Sequence, residues 1–344
     1  MTTSLLPNRS ARCRVFLTVL LWPVFLAGAS AEEPPKPLQT PKLTEVVRQG
    51  WLRAQIVSGR ITFRGTRLGS KSDVAKSNGR EERVSLRVTA QELAMRYDLS
   101  APNEELLLEI TGADEFHARR IPKGDGGPAP VDFRQSAGEP LRLTVGPAGE
   151  ERVYSAQSLW HLLVAAPAIC SQHLVPLLQV LDEQWDLTTT AEQVEVDLLQ
   201  AAGEGNLPDP RRWGALVEQL GDQRYARREA ADRELRTLGR IVLTYLEQLD
   251  QSRLDAEQRY RVRRILIALS ASMENDTPPQ IARWLAGDPV VWLAMLTRDD
   301  ESTRRLAAER LEALLGKPVE FDPAADAPTR ASQIEQLRAR ILDR

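Results

Sequence analysis

The sequence predicts an α+β protein, in which an N-terminal antiparallel β-domain (a sandwich or an open barrel) precedes an all-helical domain. The first observation is a change of hydrophobic period. Apolar and polar residues alternate up to about residue 154, whereas apolar residues recur at helical spacing after it. The second is that glycine and proline turns separate the alternating runs, as between short antiparallel strands. The third is a repeated helical pattern after residue 208.

Residues 1–31 are typical of a secretory signal peptide. Arginines precede an apolar run, and the small residues Ala29, Ser30 and Ala31 follow it at the positions that a signal peptidase recognises. The alternative is an uncleaved membrane anchor, but Pro23 interrupts a run shorter than the roughly 20 residues that span a bilayer. The sequence therefore predicts cleavage near Ala31, a periplasmic or secreted protein, and no membrane span after cleavage.

A proline-rich linker is predicted over residues 32–42. The chain has 344 residues, a formal net charge of −3 and two cysteines, of which Cys13 lies in the predicted signal peptide. An exported chain that keeps Cys170 alone cannot form an internal disulfide. Packing must therefore stabilise the fold.

The β-domain is predicted over residues 43–154. Val84, Leu86 and Val88 share one apolar strand face, with polar residues between them. The alternation predicts further strands, turn material separates them, and a short helix precedes them. These segments are strands at residues 56–63, 93–99, 106–110 and 141–145, turn material at residues 65–79, and a helix near residues 44–52.

Residues 155–207 are predicted to form connecting helices. Thr189 and Glu192 have the spacing of a capping box, which predicts a helix start at Thr189. Asp209 and Asp288 each precede a proline. This pattern predicts two more helix starts, with the aspartate as N-cap.

An internal repeat occupies residues 208–344. Residues 226–233 align with residues 303–310 at a shift of 77, and a weaker copy around residues 259–269 aligns with the first at a shift of 31. Small alanines would let neighbouring helices approach closely, and leucines would fill the contact between them. The middle copy lacks the alanine pair, so the sequence predicts a short and irregular stack.

The first copy has an aromatic residue, an Arg-Glu-Ala-Ala run and a Leu-x-x-Leu-Gly ending. Its residues are Tyr225, Arg228, Glu229, Ala230, Ala231, Leu235, Leu238 and Gly239. This pattern resembles the HEAT-like repeats of exported bacterial proteins, over residues 208–344 only. The resemblance implies stacked helix pairs whose repeat positions are structural and not catalytic. Helical periodicity places the two alanines and the leucines at the helix contact and Arg236 in solvent.

No catalytic, metal or phosphate-binding motif is found in the sequence. Cys170 and His173 are three residues apart, so on a helix they could bind a metal or form a thiol–imidazole nucleophile. The sequence favours the alternative, a small buried Cys170 and a surface or capping His173, because no third ligand or oxyanion donor can be named. We therefore predict no catalytic, cofactor-binding or metal-ligating residue, no cofactor and no enzyme activity.

Two functions remain open from the sequence. The first is an exported, non-enzymatic scaffold that binds another envelope or exported protein through its helical repeats. The second is a periplasmic carrier or binding module whose β-domain holds a lipid or an anionic cell-envelope polymer. Residues 48–87 hold ten basic and three acidic residues and could meet an anionic surface, although solvated strand faces also explain them. Export argues against nucleic acid, and an apolar cavity of about 300 Å³ or more in the β-domain would favour the carrier.

Overall fold

The computed structural model describes residues 42–77, 79–124, 128–204, 210–247, 249–270 and 276–342. It confirms the α+β class, because an antiparallel β region is followed by a helical region. The signal peptide, most of the predicted linker and Asp209 lie outside the described residues.

Ten strands form two antiparallel sheets in the described part of the chain. They are β1 (Leu52–Val57), β2 (Arg60–Gly65), β3 (Gly69–Ser77), β4 (Arg80–Val88), β5 (Leu93–Ser100), β6 (Glu104–Thr111), β7 (Glu115–Pro122), β8 (Val131–Gln135), β9 (Leu141–Val145) and β10 (Arg152–Ala156). β1 pairs with β2 as a hairpin, and β3 to β10 form one meander in chain order. Because β3 and β10 lie at opposite edges of this sheet, it is open.

The described helices lie before and after the strands, and most of them follow β10. They are α1 (Lys42–Arg48), α2 (Leu159–Ala165), α3 (Pro167–Ile169), α4 (Val175–Leu178), α5 (Leu187–Gly203), α6 (Pro210–Gln219), α7 (Tyr225–Leu238), α8 (Leu243–Glu247), α9 (Ala256–Ser270), α10 (Pro278–Leu285), α11 (Pro289–Met295), α12 (Glu301–Leu315) and α13 (Ala327–Leu342). A π-helical turn at Cys170–Leu174 joins α3 to α4, and 3₁₀ turns at Gly239–Val242 and Gln251–Arg253 flank α8.

One face of the large sheet is apolar and forms the core. In β4, Val84, Leu86 and Val88 are buried while the residues between them are exposed, as the alternation predicts. The β1–β2 hairpin contributes Phe63 to the same core, and its ring lies 5.4 Å from that of Phe116. α1, α2 and the π-helical turn also contact this sheet. The opposite face therefore carries the polar side chains.

A buried glutamine fastens the hairpin to the sheet. The side-chain amide of Gln135 accepts a hydrogen bond from Ile61 N (2.9 Å) and donates to Ile61 O (2.6 Å). Phe63 N donates to Ala113 O at 2.7 Å, in the turn between β6 and β7. The edge of a two-stranded ribbon leaves backbone groups unpaired, and these bonds satisfy them inside the core.

Two predictions for the β-domain are wrong. Residues 56–63 do not form one strand, because Ser58 and Gly59 have φ values of 57° and 71° and make the tight turn of the hairpin. Residues 65–79, predicted as turn material, contain β3. This strand lies at the sheet edge, where polar residues replace the regular alternation.

Of two predicted helix starts, that of α11 is confirmed and that of α5 is wrong. Asp288 is confirmed as the N-cap of α11, since its carboxylate accepts a hydrogen bond from Val290 N at 2.8 Å. α5 starts earlier than predicted, because Asp186 and not Thr189 is its N-cap. The carboxylate of Asp186 accepts from Thr189 N at 3.2 Å. The aspartate is the better acceptor for the first-turn amides.

The helices are divided between two hydrophobic cores. α6 to α9 enclose one core, which includes Trp213, Leu235 and Ile265. α2, α5 and α10 to α13 share the other core with the β-sheet. α5 packs along α10, although 75 positions separate Gly203, at the end of α5, from Pro278, at the start of α10. Hydrophobic contacts therefore cross the predicted boundary at residue 208.

The repeat copies correspond at a shift one residue smaller than in the sequence alignment. Ala231 and Leu235 of α7 are buried, and so are Ala307 and Leu311 of α12, each 76 positions later. Ala230, which the shift of 77 pairs with Ala307, is exposed. The shift of 77 is wrong because it aligned the two alanine pairs by residue type alone. Only one alanine in each pair faces the core, and these two are 76 positions apart.

An arginine in the first turn of each copy supports the corrected register. Arg228, Arg259 and Arg304 each donate from Nη1 to backbone carbonyls of the loop before their own helix. Arg304 Nη1, for example, lies 2.8 Å from Arg298 O and 2.6 Å from Asp299 O. Each arginine therefore ties its helix to the preceding loop.

Arg236 is not freely solvated, in contrast to the prediction, because its Nε donates to the buried carboxylate of Asp232. We expect Arg236→Ala to lower the free energy of unfolding by about 1–2 kcal/mol, since it removes a charged donor from a buried acceptor. Arg233→Ala, on the exposed side of α7, is the control and should stay within about 0.5 kcal/mol of wild type. Urea melts measure both, and equal losses would contradict the assignment.

Candidate functional site

Cys170 and His173 contact different partners. Cys170 is buried in the π-helical turn, with its Sγ 3.4 Å from Leu162 O. His173 is 7% exposed, and its Nδ1 lies 3.4 Å from Nη2 of the buried Arg120. The prediction of a buried Cys170 is confirmed, and that of a surface or capping His173 is wrong because Arg120 reaches it from β7. No group of three or more metal-ligating side chains is found among the described residues.

Burial raises the pKa of the Cys170 thiol to about 12, above the ordinary value of about 8.5. The neutral thiol is a poor nucleophile, so we expect the native protein to resist iodoacetamide at pH 9. The same protein in urea should react at the rate of an exposed cysteine. Mass spectrometry of the peptide that contains Cys170 measures both rates, and fast labelling of Cys170 in the native protein would disprove the assignment.

The side chains of a serine, a histidine and an aspartate contact one another in that order at the junction between the sheet and the helices. Ser158 Oγ lies 2.8 Å from His161 Nδ1, and His161 Nε2 lies 3.1 Å from Asp288 Oδ2. Hydrolytic triads have the same order of groups, but in them Nε2 of the histidine meets the serine and Nδ1 meets the aspartate, the reverse of the contacts here. In addition, Ser158 is 1% exposed and caps α2 by accepting a hydrogen bond from His161 N. A nucleophile must reach its substrate, so this cluster is structural.

A carboxylate from the loop before α10 completes this junction. Asp276 accepts hydrogen bonds from Ser58 N (2.8 Å), Gly59 N (2.7 Å) and Trp160 Nε1 (2.9 Å). Gly59 O in turn accepts from Leu159 N at 2.8 Å. The Trp284 ring lies 5.2 Å from the His161 ring. We call this cluster the sheet–helix joint; its residues are Ser58, Gly59, Ser158, Trp160, His161, Asp276, Trp284 and Asp288. Sequence analysis missed this joint. The three-residue spacing of Ser158 and His161 could have indicated two of its residues, but nothing in the sequence indicates Asp276 or Asp288 as their partners.

The polar face of the large sheet carries an open groove of about 760 Å³. Arg96, Glu109, His117 and Arg134 stand in one row across β5 to β8 on this face. Arg96 Nη1 lies 2.7 Å from Glu109 Oε1, and His117 Nε2 lies 3.1 Å from Asp132 Oδ2. The groove is therefore lined by charged side chains that pair across the strands.

These charges neutralise one another. Burial alone would raise the pKa of Asp132, but hydrogen bonds from Arg134 and His117 outweigh it and hold the pKa below its ordinary value. The groove is open and polar, unlike the enclosed apolar cavity that would favour a lipid carrier. A charged ligand could therefore bind to this row of side chains only by breaking one of their existing ion pairs or hydrogen bonds.

Eight of the ten basic residues of the 48–87 segment fall into two groups. Four of them, in β3 and β4, are ion-paired: Lys76 and Arg83 with Glu81, Arg80 with Glu82, and Arg87 with Glu92. The other four lie on the hairpin, after it and near the start of β3, and have no carboxylate partner among the described residues; Lys71 Nζ donates to the amide oxygen of Gln49. We call this second group, with the tryptophan beside it, the basic patch; it consists of Trp51, Arg53, Arg64, Arg67 and Lys71.

The helical region presents an aromatic and basic surface on α9. Tyr260 is 57% exposed, and the exposed Arg263, Arg264 and Ile267 follow it on the same helix face. A groove of about 480 Å³ lies beside this stripe. It is lined by Gln251, Arg259, Tyr260, Val262, Arg263 and Leu266.

α7 extends this surface through Tyr225, which is also exposed. Glu229, whose pKa is lowered by a hydrogen bond from Arg261, also interacts with Tyr225 and Arg264. The Arg264 guanidinium lies 5.6 Å from the centroid of the Tyr260 ring. We call this continuous surface the tyrosine surface; it consists of Tyr225, Tyr260, Arg263, Arg264 and Ile267.

Within the described ranges, no single helix has the length and apolar content to cross a bilayer; the bent pair Leu159–Ala165 and Pro167–Leu178, at 110°, meets those two criteria only jointly. No protein family, curated protein or solved structure matches the chain. Function is therefore inferred from the chain's own surfaces.

Proposed function

We propose that this protein is an exported, non-enzymatic interaction protein that binds another envelope or exported protein through the tyrosine surface. The observation that carries the proposal is the exposed Tyr260 beside a groove of about 480 Å³. Tyrosine and arginine, together with tryptophan, are enriched among the residues that dominate binding energy at protein interfaces. This surface concentrates both on two neighbouring helices.

The charge of the surface indicates the partner's chemistry. Arg259 and Arg263 line the groove, and Arg264 lies beside it. The nearby acids, Glu229 and Glu257, are engaged by Arg261 at 2.8 and 2.6 Å. These two carboxylates lie among four arginines, which are Arg259, Arg261, Arg263 and Arg264. The net charge of the surface is therefore positive. It fits a partner segment that places carboxylates beside one apolar side chain, which would fill the groove against Leu266.

The non-enzymatic role is supported by the placement of the two candidate nucleophiles. Ser158 and Cys170 are both buried, one as a helix cap and the other inside the π-helical turn. The groove on the sheet is open and lined by charged side chains, whereas an enclosed apolar cavity would favour a lipid carrier. The groove therefore supports the carrier function less well. The exposed helical surface is thus the feature that best fits a binding function.

Capture from an envelope extract with matched variants tests the proposal. Wild type is compared with the double variant Tyr260→Ala and Arg263→Glu. The control is Val196→Ala with Arg305→Glu, which changes an exposed apolar residue and an exposed arginine on α5 and α12. Wild type and control should retain a protein that the double variant loses. Rebinding of that purified partner should then be weakened at least about tenfold by the double variant.

Two outcomes would count against the tyrosine surface. One is a purified partner that binds all three proteins equally. The other is a partner lost by the control as strongly as by the double variant. Thermal melts of each variant establish that a loss of binding is not a loss of fold.

A further inference from the structure

Two arginines face each other across the hairpin without a counter-charge. Arg53 and Arg64 are direct cross-strand partners in the register of β1 and β2, and both are exposed. Neither has an ion-pair partner among the described residues. Like charges opposite one another on antiparallel strands destabilise the pair. An anion from outside the chain would relieve this repulsion.

Trp51 links this pair to two further cations. Thr66 N donates to Trp51 O at 3.1 Å, which continues the pairing and places Trp51 on the same hairpin face as Arg53, two residues later. The Arg67 guanidinium lies 5.9 Å from the centroid of the Trp51 ring, and Lys71 Nζ lies 6.0 Å from it. The basic patch is therefore one continuous surface around an aromatic ring.

A leucine projects from this surface. Leu68 is 73% exposed and follows Arg67 directly in the chain. A single exposed leucine is ordinary on soluble proteins. A leucine beside tryptophan and several cations, however, has the composition of a membrane interface. There tryptophan lies at headgroup level, leucine enters the acyl boundary, and arginine and lysine meet lipid phosphates.

We propose that the basic patch docks on the surface of an anionic lipid bilayer, with its four cations against lipid phosphates and Leu68 inserted between the lipids. A soluble polyanion would meet the same cations but would leave Leu68 in water, so the leucine favours the bilayer. The proposal does not depend on the tyrosine surface, which lies on α7 and α9. A protein docked in this way could hold its partner near a membrane.

Vesicle co-sedimentation of the full chain tests the proposal, with phosphatidylcholine vesicles that contain or lack phosphatidylglycerol. We expect binding only to the anionic vesicles, and weaker binding as salt is added. Each cation near an anionic surface contributes about fivefold to partitioning, so Arg53→Gln with Arg64→Gln should weaken binding about 25-fold. Arg83→Gln with Arg87→Gln is the matched control, because these two exposed arginines of the same segment are already ion-paired.

Leu68→Ser separates a bilayer from a soluble polyanion. It should weaken binding to anionic vesicles several-fold and leave binding to dextran sulfate unchanged. Equal effects of Leu68→Ser on both ligands would overturn the bilayer assignment, and so would the absence of vesicle binding by wild type. A loss in the Arg83 and Arg87 control as large as that in the Arg53 and Arg64 variant would show that only total charge matters. Thermal melts provide a second readout, because removing the facing arginines should raise the melting temperature, not lower it.

Discussion

Residues 208–344, expressed without the rest of the chain, are expected to lose the fixed packing of α10 to α13 while α6 to α9 stay folded. α10 buries Ile281 and Leu285 in the core that it shares with α5, and the fragment lacks α5. Each large apolar side chain returned to water costs about 1.5–3 kcal/mol, and a domain's whole stability is about 5–15 kcal/mol. Arg298 also loses Glu195, its partner at 2.6 and 2.8 Å.

Hydrogen exchange read by mass spectrometry distinguishes the two cores in this fragment. Amides in residues 213–269 should remain protected, because their core is closed within α6 to α9. Amides in residues 278–342 should exchange rapidly. A longer fragment, residues 155–344, restores α2 and α5 and should recover protection in α10 to α13. Equal protection of both parts in the shorter fragment would show that α10 to α13 fold without α5.

The strands and helices with one buried face could be predicted from the sequence, because burial imposes a period. Val84, Leu86 and Val88 carry that period and lie in β4 as expected. The hairpin turn at Ser58 was missed because its residues keep the alternation of the strands on either side of it. β3 was missed because an edge strand with polar residues shows no period at all.

The repeat shows what a local sequence pattern can predict and what it cannot. The sequence pattern indicates which helices are alike, and Arg228 and Arg304 do make equivalent hydrogen bonds to the loops before their helices. The sequence pattern does not show which alanine of each pair faces the core. It also does not show that α12 packs with α5 while α7 packs with α9. Those contacts depend on side chains that are distant in sequence, and a repeat pattern carries no information about them.

The candidate surfaces were predictable in part. The positive charge of residues 48–87 is visible in the sequence, but its division into paired and unpaired halves depends on strand register. Lys76 faces Glu81 across β3 and β4, whereas Arg53 faces Arg64 across β1 and β2. The tyrosine surface was missed because Tyr225 was assigned to the repeat pattern and Tyr260 had no distinguishing neighbour. Its exposure follows from the packing of α7 against α9.

Gly59→Ala is expected to destabilise the protein by about 2–5 kcal/mol through the sheet–helix joint. A Cβ at this position would lie 2.6 Å from Ser158 Cβ and 2.9 Å from the Trp284 ring. Neither neighbour is the free end of a flexible side chain, so the turn must move away from Asp276 and Leu159, which both bond to Gly59. Overpacking of this kind costs about 1–3 kcal/mol, and the left-handed backbone adds about 1–2 kcal/mol for any residue with a Cβ.

Gly50→Ala isolates the contribution of the joint. Gly50 has φ +72°, nearly the same as the +71° of Gly59, but no atom lies within 4 Å of its added Cβ. This control should therefore cost only the backbone strain of about 1–2 kcal/mol. Urea melts of the two variants give the difference, about 1–3 kcal/mol, which measures the close approach of the hairpin turn to Ser158 and Trp284. If both alanines lower the free energy of unfolding by the same amount, the hairpin does not press against the helices, and the joint does not couple the sheet to them.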